Sequence, residues 1–215
     1  MDHTISNLLR IKEEINLKES QNAKIIAVTK TFSEEKILPL VKYGHIDFGE
    51  NKVQEALLKW SPIKNNYKDI KLHMIGKLQT NKVKHAVKIF DYIHSIDNLK
   101  LAEKISQEQK KINKNLKLFI QINVGNEKQK SGINFDEAKN FLKICRENFD
   151  LNIIGLMCLP PNDEEPDKYF SEMVHLKNQL NINNLSMGMS SDYLIAVKHG
   201  STFVRIGSRI FGSRN

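Results

Sequence analysis

Two apolar patterns alternate along most of the chain: short runs of consecutive apolar residues, and longer stretches with apolar residues at helical spacing. The first segment, from Asp2 to about Leu17, has helical spacing and predicts an amphipathic leading helix. From residue 24 onwards, a short apolar run followed by a helical stretch occurs eight times over about 190 residues. The pattern therefore predicts eight strand and helix units after one extra helix.

The apolar runs predict strands at residues 24–29, 45–48, 72–75, 92–96, 118–124, 153–159, 185–188 and 203–206. Helices are predicted after Ser33 and over residues 51–60, 80–90, 98–111, 136–148 and 166–180, with a short one ending near Gly200. Ser33 and Asp97 are expected to cap the helices that follow them, because their side-chain oxygens can accept hydrogen bonds from the free N–H groups of the first turn.

Repeated strand and helix units imply a parallel sheet covered by helices, and eight of them close naturally into a (β/α)8 barrel of the TIM type. An open, doubly wound parallel sheet is the alternative. No Gly-x-Gly-x-x-Gly sequence follows the first strand, which weakens the dinucleotide-binding form of that alternative. Since no stretch rich in Gly, Ser or Pro divides the chain, we expect a single α/β domain over residues 1–215.

Basic residues exceed acidic ones, 33 Lys and Arg against 25 Asp and Glu, which gives a net charge of +8. Such an excess is typical of proteins that bind nucleic acid or anionic membranes. Here 28 of the 33 are Lys, Asn is also frequent, and neither an Arg-rich segment nor an aromatic-rich strand motif is present. We interpret the charge as a compositional bias and expect neither nucleic acid nor a membrane as a partner.

The two cysteines, Cys145 and Cys158, are 13 residues apart and lie in apolar stretches without CxxC spacing. This spacing argues against a zinc site or a disulfide framework and predicts buried thiols in a reducing compartment. The N-terminus has no signal-peptide pattern, and no apolar stretch approaches the ~20 residues that a membrane span needs. A soluble cytoplasmic protein is therefore expected.

Lys30 closes the first predicted strand and lies on the same side as Ile26 and Val28. Functional residues of such barrels lie just beyond the carboxyl ends of the strands. A lysine amine at this place is a candidate for a Schiff base, because desolvation and nearby cations free it as a nucleophile. The alternative is a lysine that extends to solvent from the end of the strand.

The segments 185–192 and 200–212 each end a short strand with Gly and Ser and then begin a helix. Free N–H groups and small hydroxyls at such turns can bind a phosphate, and barrel enzymes often bind phosphate after strands 7 and 8. Arg205 lies inside the eighth strand, where its guanidinium needs an acceptor that a bound ligand could supply. Gly207 and Gly212 imitate a P-loop, but Ser213 and Arg214 stand where that motif requires Lys and Ser or Thr.

The remaining polar residues predict no catalytic group. On the fifth strand Phe119, Gln121 and Asn123 share one face, which we expect to point into the barrel. The seven histidines show no metal-ligand spacing, so they are expected at the surface or in helix packing. His73 and Asp47 lie on or near strand ends, but no Ser/His/Asp grouping can be assembled from the sequence.

Seven ordered segments, covering nearly the whole chain, resemble one known family. They are IAVTKT (26–31), DFGEN (47–51) with Gln54 and Glu55, HMIGKLQ (73–79) with Asn81 and Lys82, QIN (121–123) with KSG (130–132), GLM (155–157), SMGMS (186–190), and VRIG (204–207) with IFG (210–212). The family is that of the pyridoxal phosphate homeostasis proteins, also described as alanine racemase N-terminal-like. The resemblance implies a single (β/α)8 barrel that binds pyridoxal 5′-phosphate.

The resemblance also implies roles for individual residues. Lys30 would hold the cofactor as a Schiff base, and Arg205 would face its pyridine nitrogen. The phosphate would be bound by Ser190 and by the turn at Gly207 and Ser208, with Asn51 lining the same pocket. Phe32 departs from the family pattern, because many relatives have a second lysine two residues after the Schiff-base lysine.

The function implied is a carrier that buffers pyridoxal 5′-phosphate and supplies it to apo-enzymes that require this cofactor, without efficient turnover. An arginine at the ring nitrogen disfavours its protonation and weakens the ring as an electron sink. Racemases of this fold type add a second acid or base, typically from a β-domain, and no such domain is expected after Asn215. A cofactor-dependent amino-acid racemase is the alternative function; a monomer without metal is expected.

Overall fold

Eight parallel strands close into a barrel in the computed structural model, which describes residues 2–17, 23–127, 131–161 and 163–212. Consecutive strands are neighbours, and β8 closes the barrel by pairing with β1, with Arg205 beside Ile26. The strands are β1 (Lys24–Val28), β2 (Asp47–Glu50), β3 (Lys71–Met74), β4 (Tyr92–Ile96), β5 (Lys117–Ile122), β6 (Ile153–Cys158), β7 (Asn184–Ser186) and β8 (Phe203–Ile206). The predicted TIM-type barrel is confirmed, and the alternative prediction of an open sheet is wrong.

Helices cover the outside of the barrel. They are α1 (His3–Asn16), α2 (Glu34–Lys42), α3 (Val53–Asn66), α4 (Val83–Ile89), α5 (Leu99–Lys111), α6 (Ala138–Glu147), α7 (Pro166–Gln179), α8 (Tyr193–Lys198) and α9 (Ser208–Phe211). A short 3₁₀ turn at Thr80–Lys82 precedes α4. In the ranges given above, no helix combines the length and apolar character that crossing a bilayer requires.

The predicted leading helix is present as α1, which packs beside the short α9 and also contacts α2 and α8. Asn7 Nδ2 donates to the Ile210 carbonyl oxygen of α9 at 3.0 Å, and Arg209 of α9 pairs with Glu14 at 3.2 Å. Since α9 has four residues, α1 supplies most of the outer layer at the β8–β1 closure.

The helix caps differ in part from the prediction. Asn98, not Asp97, caps α5, because its Oδ1 accepts a hydrogen bond from the Leu101 N–H at 2.9 Å. Ser33 does occupy the N-cap position of α2, but its hydroxyl donates to Glu35 Oε2 instead of accepting from an N–H group. The Ser33 side chain is therefore bonded to Glu35 and makes no capping hydrogen bond to α2.

The inside of the barrel is packed with side chains rather than open. Its apolar members are Ile26, Tyr92, Phe119, Met157 and Phe203, all buried. A larger apolar cluster fills the layer between the sheet and the helices. The inward direction predicted for Phe119 is thereby confirmed. A ligand cannot pass through this core, so any binding site must lie at an end of the barrel.

Candidate functional site

One pocket at the carboxyl ends of the strands is lined by all six residues that the resemblance implies for cofactor binding: Lys30, Asn51, Ser190, Arg205, Gly207 and Ser208. Its volume is about 430 Å³. The lining residues come from the ends of β1, β2, β3, β6, β7 and β8: Val28, Lys30, Asn51, Ile75, Leu159, Met189, Ser190, Ser191, Arg205, Gly207 and Ser208. Barrel closure brings together residues up to 180 positions apart, as Val28 and Ser208 show.

Lys30 lies two residues past β1, and the backbone on either side of it is anchored. The hydroxyl of Thr29 donates to Glu50 Oε1 at 2.7 Å, and the Thr31 N–H donates to Glu55 Oε1 at 2.6 Å. Thr31 has a φ of 69°, in the left-handed region that a threonine seldom adopts. The half-buried Lys30 side chain therefore starts from a fixed backbone.

The two anchoring carboxylates are joined by Lys59, whose Nζ lies 2.9 Å from Glu50 Oε1 and 3.0 Å from Glu55 Oε1. Lys59 Nζ also donates to the Thr29 carbonyl oxygen at 2.8 Å, and Trp60 Nε1 donates to Glu50 Oε1 at 2.9 Å. We call these five residues, Thr29, Glu50, Glu55, Lys59 and Trp60, the Lys59 cluster.

Sequence reasoning missed the Lys59 cluster. The predicted second strand ends at residue 48, whereas β2 is Asp47–Glu50, so Glu50 lies outside the predicted strand. Burial raises the pKa of Glu55, but the hydrogen bonds from Thr31 and Lys59 outweigh it and the net shift is downward. The signal available was an acidic residue at the end of a strand with Lys59 nine positions later.

Arg205 projects from the middle of β8 and is 4% exposed. Its Nη1 donates to the Ser186 carbonyl oxygen at 2.6 Å and to Ser186 Oγ at 2.7 Å, and its Nη2 donates to the Cys158 carbonyl oxygen at 2.9 Å. Burial lowers the pKa of the guanidinium. A guanidinium has five N–H donors, so donors remain for an acceptor in the pocket that Arg205 lines.

The loops after β7 and β8 meet at the other side of the pocket. Ser190 Oγ accepts a hydrogen bond from the Gly207 N–H at 3.3 Å. The β7 loop is shaped by Asp192 Oδ1, which accepts from the Met189 N–H at 2.6 Å. Gly188 has a φ of 91°, and a Cβ there would lie 2.5 Å from Ala196 Cβ, so this turn requires glycine. The hydroxyls of Ser190 and Ser208 both line the pocket.

A chain of buried polar side chains crosses the barrel below the pocket. His73 Nε2 lies 3.0 Å from Asp47 Oδ1, and His73 Nδ1 lies 2.9 Å from His94 Nε2. His94 Nδ1 lies 2.9 Å from Ser186 Oγ, which in turn accepts from Arg205 Nη1. We call Asp47, His73, His94, Ser186 and Arg205 the core polar chain.

One expectation about these residues is wrong. His73 and His94 are completely buried inside the barrel, not at the surface or in helix packing. The contacts that join Asp47, the two histidines and Ser186 could not be assembled from the sequence. Burial lowers the pKa of His73 despite Asp47, and burial with the nearby His73 and Arg205 lowers the pKa of His94 well below its usual value. Both rings are therefore neutral near pH 7.

The pocket lining does not include Gln121 of β5, Asn123 directly after this strand, or either cysteine. Gln121 Nε2 donates to the Ser131 carbonyl oxygen, and Asn123 Nδ2 donates to that of Glu127, each at 3.0 Å, so both amides hold the following loop. Lys130 of the matched KSG segment lies outside the described residues. Cys145 and Cys158 are buried free thiols, as predicted, and burial raises the pKa of each to about 12.

Comparison with known sequences gives consistent relatives over most of the chain. The family model described as alanine racemase, N-terminal domain, matches residues 1–215. A pyridoxal phosphate homeostasis protein of Haemophilus influenzae is 37% identical over 223 aligned positions, which cover 97% of this chain and 94% of that protein. One from Aquifex aeolicus is 36% identical over 201 positions, covering 89% and 87%.

Solved structures agree with the sequence relatives. PipY of Synechococcus elongatus, solved with pyridoxal phosphate bound, is 32% identical, has a TM-score of 0.81 and covers 94% of this chain and 100% of its own. An alanine racemase of Clostridium difficile has a TM-score of 0.77 at 15% identity, which shows a shared fold; this chain matches 57% of its length. The chain thus belongs to the alanine racemase N-terminal domain family, together with the pyridoxal phosphate homeostasis proteins.

Proposed function

We propose that this protein binds pyridoxal 5′-phosphate as a Schiff base on Lys30 and takes part in the homeostasis of this cofactor. The observation that carries the proposal is one pocket of about 430 Å³ that is lined by Lys30, Arg205 and three serines. These groups suit an aldehyde, a pyridine nitrogen and a phosphate, the three polar parts of the cofactor. The names of the relatives and the pyridoxal phosphate bound in PipY support the same function.

Lys30 is the residue that we assign to the aldehyde. Its amine adds to the aldehyde carbon, and loss of one water molecule leaves the carbon–nitrogen double bond of the Schiff base. The fixed backbone at Thr29 and Thr31 supports this role, because it limits the positions that the amine can reach. Water or another amine can reverse the bond, which suits a protein that releases its cofactor.

We assign the phosphate to the hydroxyls of Ser190 and Ser208 and to the turn at Gly207. Gly207 suits close approach of a ligand, since it adds no side chain at the pocket wall. Asn51 follows β2, the neighbour of β1, and lines the same pocket with an amide that can donate or accept. The Ser190 contact to the Gly207 N–H aligns the two loops before a ligand arrives.

Arg205 favours binding without efficient turnover. A guanidinium donates to the pyridine nitrogen and keeps its own protons, so the ring stays unprotonated and withdraws electrons weakly. Racemisation also needs a second acid or base opposite the first. Among the described residues that line the pocket, Lys30 and Arg205 are the ionisable ones, since the others are Asn, Ser, Gly and apolar residues. This composition favours a carrier over a racemase.

Apo-enzymes that require pyridoxal 5′-phosphate are the recipients that we propose. A single domain over residues 1–215 and a monomer remain predictions. The buried free thiols of Cys145 and Cys158 favour a reducing compartment, and we propose the cytoplasm.

An absorbance spectrum of the protein loaded with pyridoxal 5′-phosphate tests the proposal. We expect a band of a protonated Schiff base, and borohydride should fix the cofactor to the peptide that contains Lys30. Lys30→Ala should abolish both. Lys52→Ala, which removes an exposed lysine next to Asn51 that does not line the pocket, should change neither. A labelled peptide without Lys30 would overturn the assignment.

The same loaded protein distinguishes the carrier from the racemase. Incubation with L-alanine should produce D-alanine slowly, whereas an apo-transaminase should regain activity from the bound cofactor. Racemisation at about 1 s⁻¹ or faster, in the range of ordinary enzymes, would instead establish the alternative function.

A further inference from the structure

The core polar chain joins the amino-terminal face of the barrel to the pocket. Asp47 is the first residue of β2, at that face, whereas Arg205 lines the pocket at the other end. We propose that the four other members of the core polar chain are positioning residues that fix the Arg205 guanidinium toward the ring nitrogen of the cofactor. The inference rests on the proposed function, because it concerns how Arg205 meets that ring.

With neutral rings, the Asp47 end determines the direction of every hydrogen bond in the core polar chain. A carboxylate only accepts, so His73 Nε2 carries the hydrogen that binds Asp47 Oδ1 at 3.0 Å. His73 Nδ1 then accepts from His94 Nε2 at 2.9 Å, and His94 Nδ1 accepts from the Ser186 hydroxyl at 2.9 Å. Ser186 Oγ in turn accepts from Arg205 Nη1 at 2.7 Å, because a guanidinium only donates.

Both neutral rings therefore carry the hydrogen on Nε2, and all four hydrogen bonds point from Arg205 toward Asp47. Burial, which lowers the pKa of His73 and of His94, favours this neutral state. The ring of His73 is stacked on Tyr92, with centroids 4.1 Å apart, and that of His94 on Phe119 at 4.2 Å. Stacking restricts rotation of the rings, so one arrangement satisfies every contact.

Arg205 depends on this arrangement because its charge is buried without a carboxylate in direct contact. Its three hydrogen bonds go to neutral oxygens of Ser186 and Cys158, and within the described ranges it forms no ion pair; the carboxylate of Asp192 acts on it only from a distance. The aligned hydrogen bonds connect the guanidinium to the negative charge of Asp47. Ser186 Oγ is the contact through which the chain acts. A hydroxyl hydrogen directed to His94 Nδ1 leaves the lone pairs of Oγ for Arg205 Nη1.

The direction of the chain can be measured without any cofactor. Nitrogen-15 NMR of labelled histidines at neutral pH should show His73 and His94 each with a protonated Nε2 and an unprotonated Nδ1. A ring with its hydrogen on Nδ1, or with both nitrogens protonated, would overturn the proposed direction. Asp47→Asn removes the charge but keeps an acceptor oxygen, so the rings of His73 and His94 should stay neutral in this variant.

The action through Arg205 is tested by a double-mutant cycle on the dissociation constant of pyridoxal 5′-phosphate. Asp47→Asn and His94→Phe, which keeps a ring against Phe119, should each weaken binding about 2- to 30-fold in the native background. In the Arg205→Gln background both should have little effect, because the guanidinium that they position is absent. Equal effects in the two backgrounds would show a general loss of structure and overturn the proposal.

His45→Gln is the matched control. His45 is also buried, and its Nε2 lies 2.9 Å from the Asp47 carbonyl oxygen, but it is outside the core polar chain. The dissociation constant should stay within error, and a loss equal to that of Asp47→Asn would count against the proposal. If native protein binds no pyridoxal 5′-phosphate, the proposed function fails, and the NMR result still decides the direction of the chain.

Discussion

Two cations line the pocket at the residue scale, on neighbouring strands. Lys30 is half-buried and has anchored backbone neighbours, and the Arg205 side chain is held by hydrogen bonds to Ser186 and Cys158. A lysine amine lies at the end of a long aliphatic chain and can reach an aldehyde. A fixed guanidinium instead selects the orientation of a ring.

Arg205→Gln should weaken the binding of pyridoxal 5′-phosphate and change its absorbance. A hydrogen bond that involves a charged group contributes about 1.5–3 kcal/mol, so a loss of roughly tenfold or more in affinity is expected. Ser190→Ala removes a neutral hydroxyl and should have the smaller effect of the two. Fluorescence titration measures both.

The control for this prediction is Arg209→Gln. Arg209 lies four residues along the chain but pairs with Glu14 of α1 and does not line the pocket. Its replacement should leave the affinity unchanged. If Arg209→Gln weakened binding as much as Arg205→Gln, the proposed contact with the ring nitrogen would lose its support.

At the scale of elements, the ends of β1 and β2 are joined to α3 by buried charges. Lys59 of α3 is 8% exposed and bridges Glu50, which is fully buried, and Glu55. Glu50 Oε2 is buried without a partner within the described ranges, so this carboxylate already relies on contacts to Oε1 alone. The cluster therefore makes the position of Lys30 depend on one lysine of a neighbouring helix.

Lys59→Met should lower the free energy of unfolding by about 3–5 kcal/mol, because it leaves the charge of Glu50 buried and uncompensated. Urea denaturation followed by circular dichroism measures the change. Lys104→Met removes one of the two lysines paired with Glu108 on α5; Lys111 remains paired with that carboxylate, so the change should cost less than about 1 kcal/mol. Similar losses for the two variants would show that the Lys59 cluster has no special weight.

At the scale of the whole molecule, three buried histidines make stability depend on pH. Burial lowers the pKa of His45 to about 4, and it also lowers the pKa values of His73 and His94. In the unfolded chain a histidine titrates near about 6.5, so below that pH the unfolded state binds more protons than the folded one. The stability that these neutral histidines contribute is thus fully present above about pH 6.5 and is lost as the pH falls.

The free energy of unfolding should be nearly constant from pH 7 to pH 8 and decrease below pH 6.5, by up to about 1.4 kcal/mol per pH unit for each buried histidine. Urea unfolding at several pH values gives the profile. His45→Gln should reduce the slope, and replacement of the exposed His175 should not. A flat profile between pH 5 and pH 7.5 would contradict neutral burial of these rings.

The sequence by itself determined the order of strands and helices and six of the residues that line the pocket. Alternation of apolar runs and helical stretches is local, so eight units and the leading helix could be predicted before any contact was known. Lys30, Arg205 and Ser190 could be found because they lie at or near strand ends in matched segments, where barrels place ligands. Boundaries moved by a few residues, since side-chain contacts such as the Asn98 cap decide them.

Tertiary structure alone decided which buried polar groups meet. Asp47, His73, His94 and Ser186 come from four strands, and the contact between His94 and Ser186 spans 92 positions. Strand alternation tells which face a residue takes, but the partner across the barrel depends on closure and register, which no local pattern contains. The same holds for Glu50 and Lys59, because a buried charge is stable only where the fold brings its partner within about 3 Å.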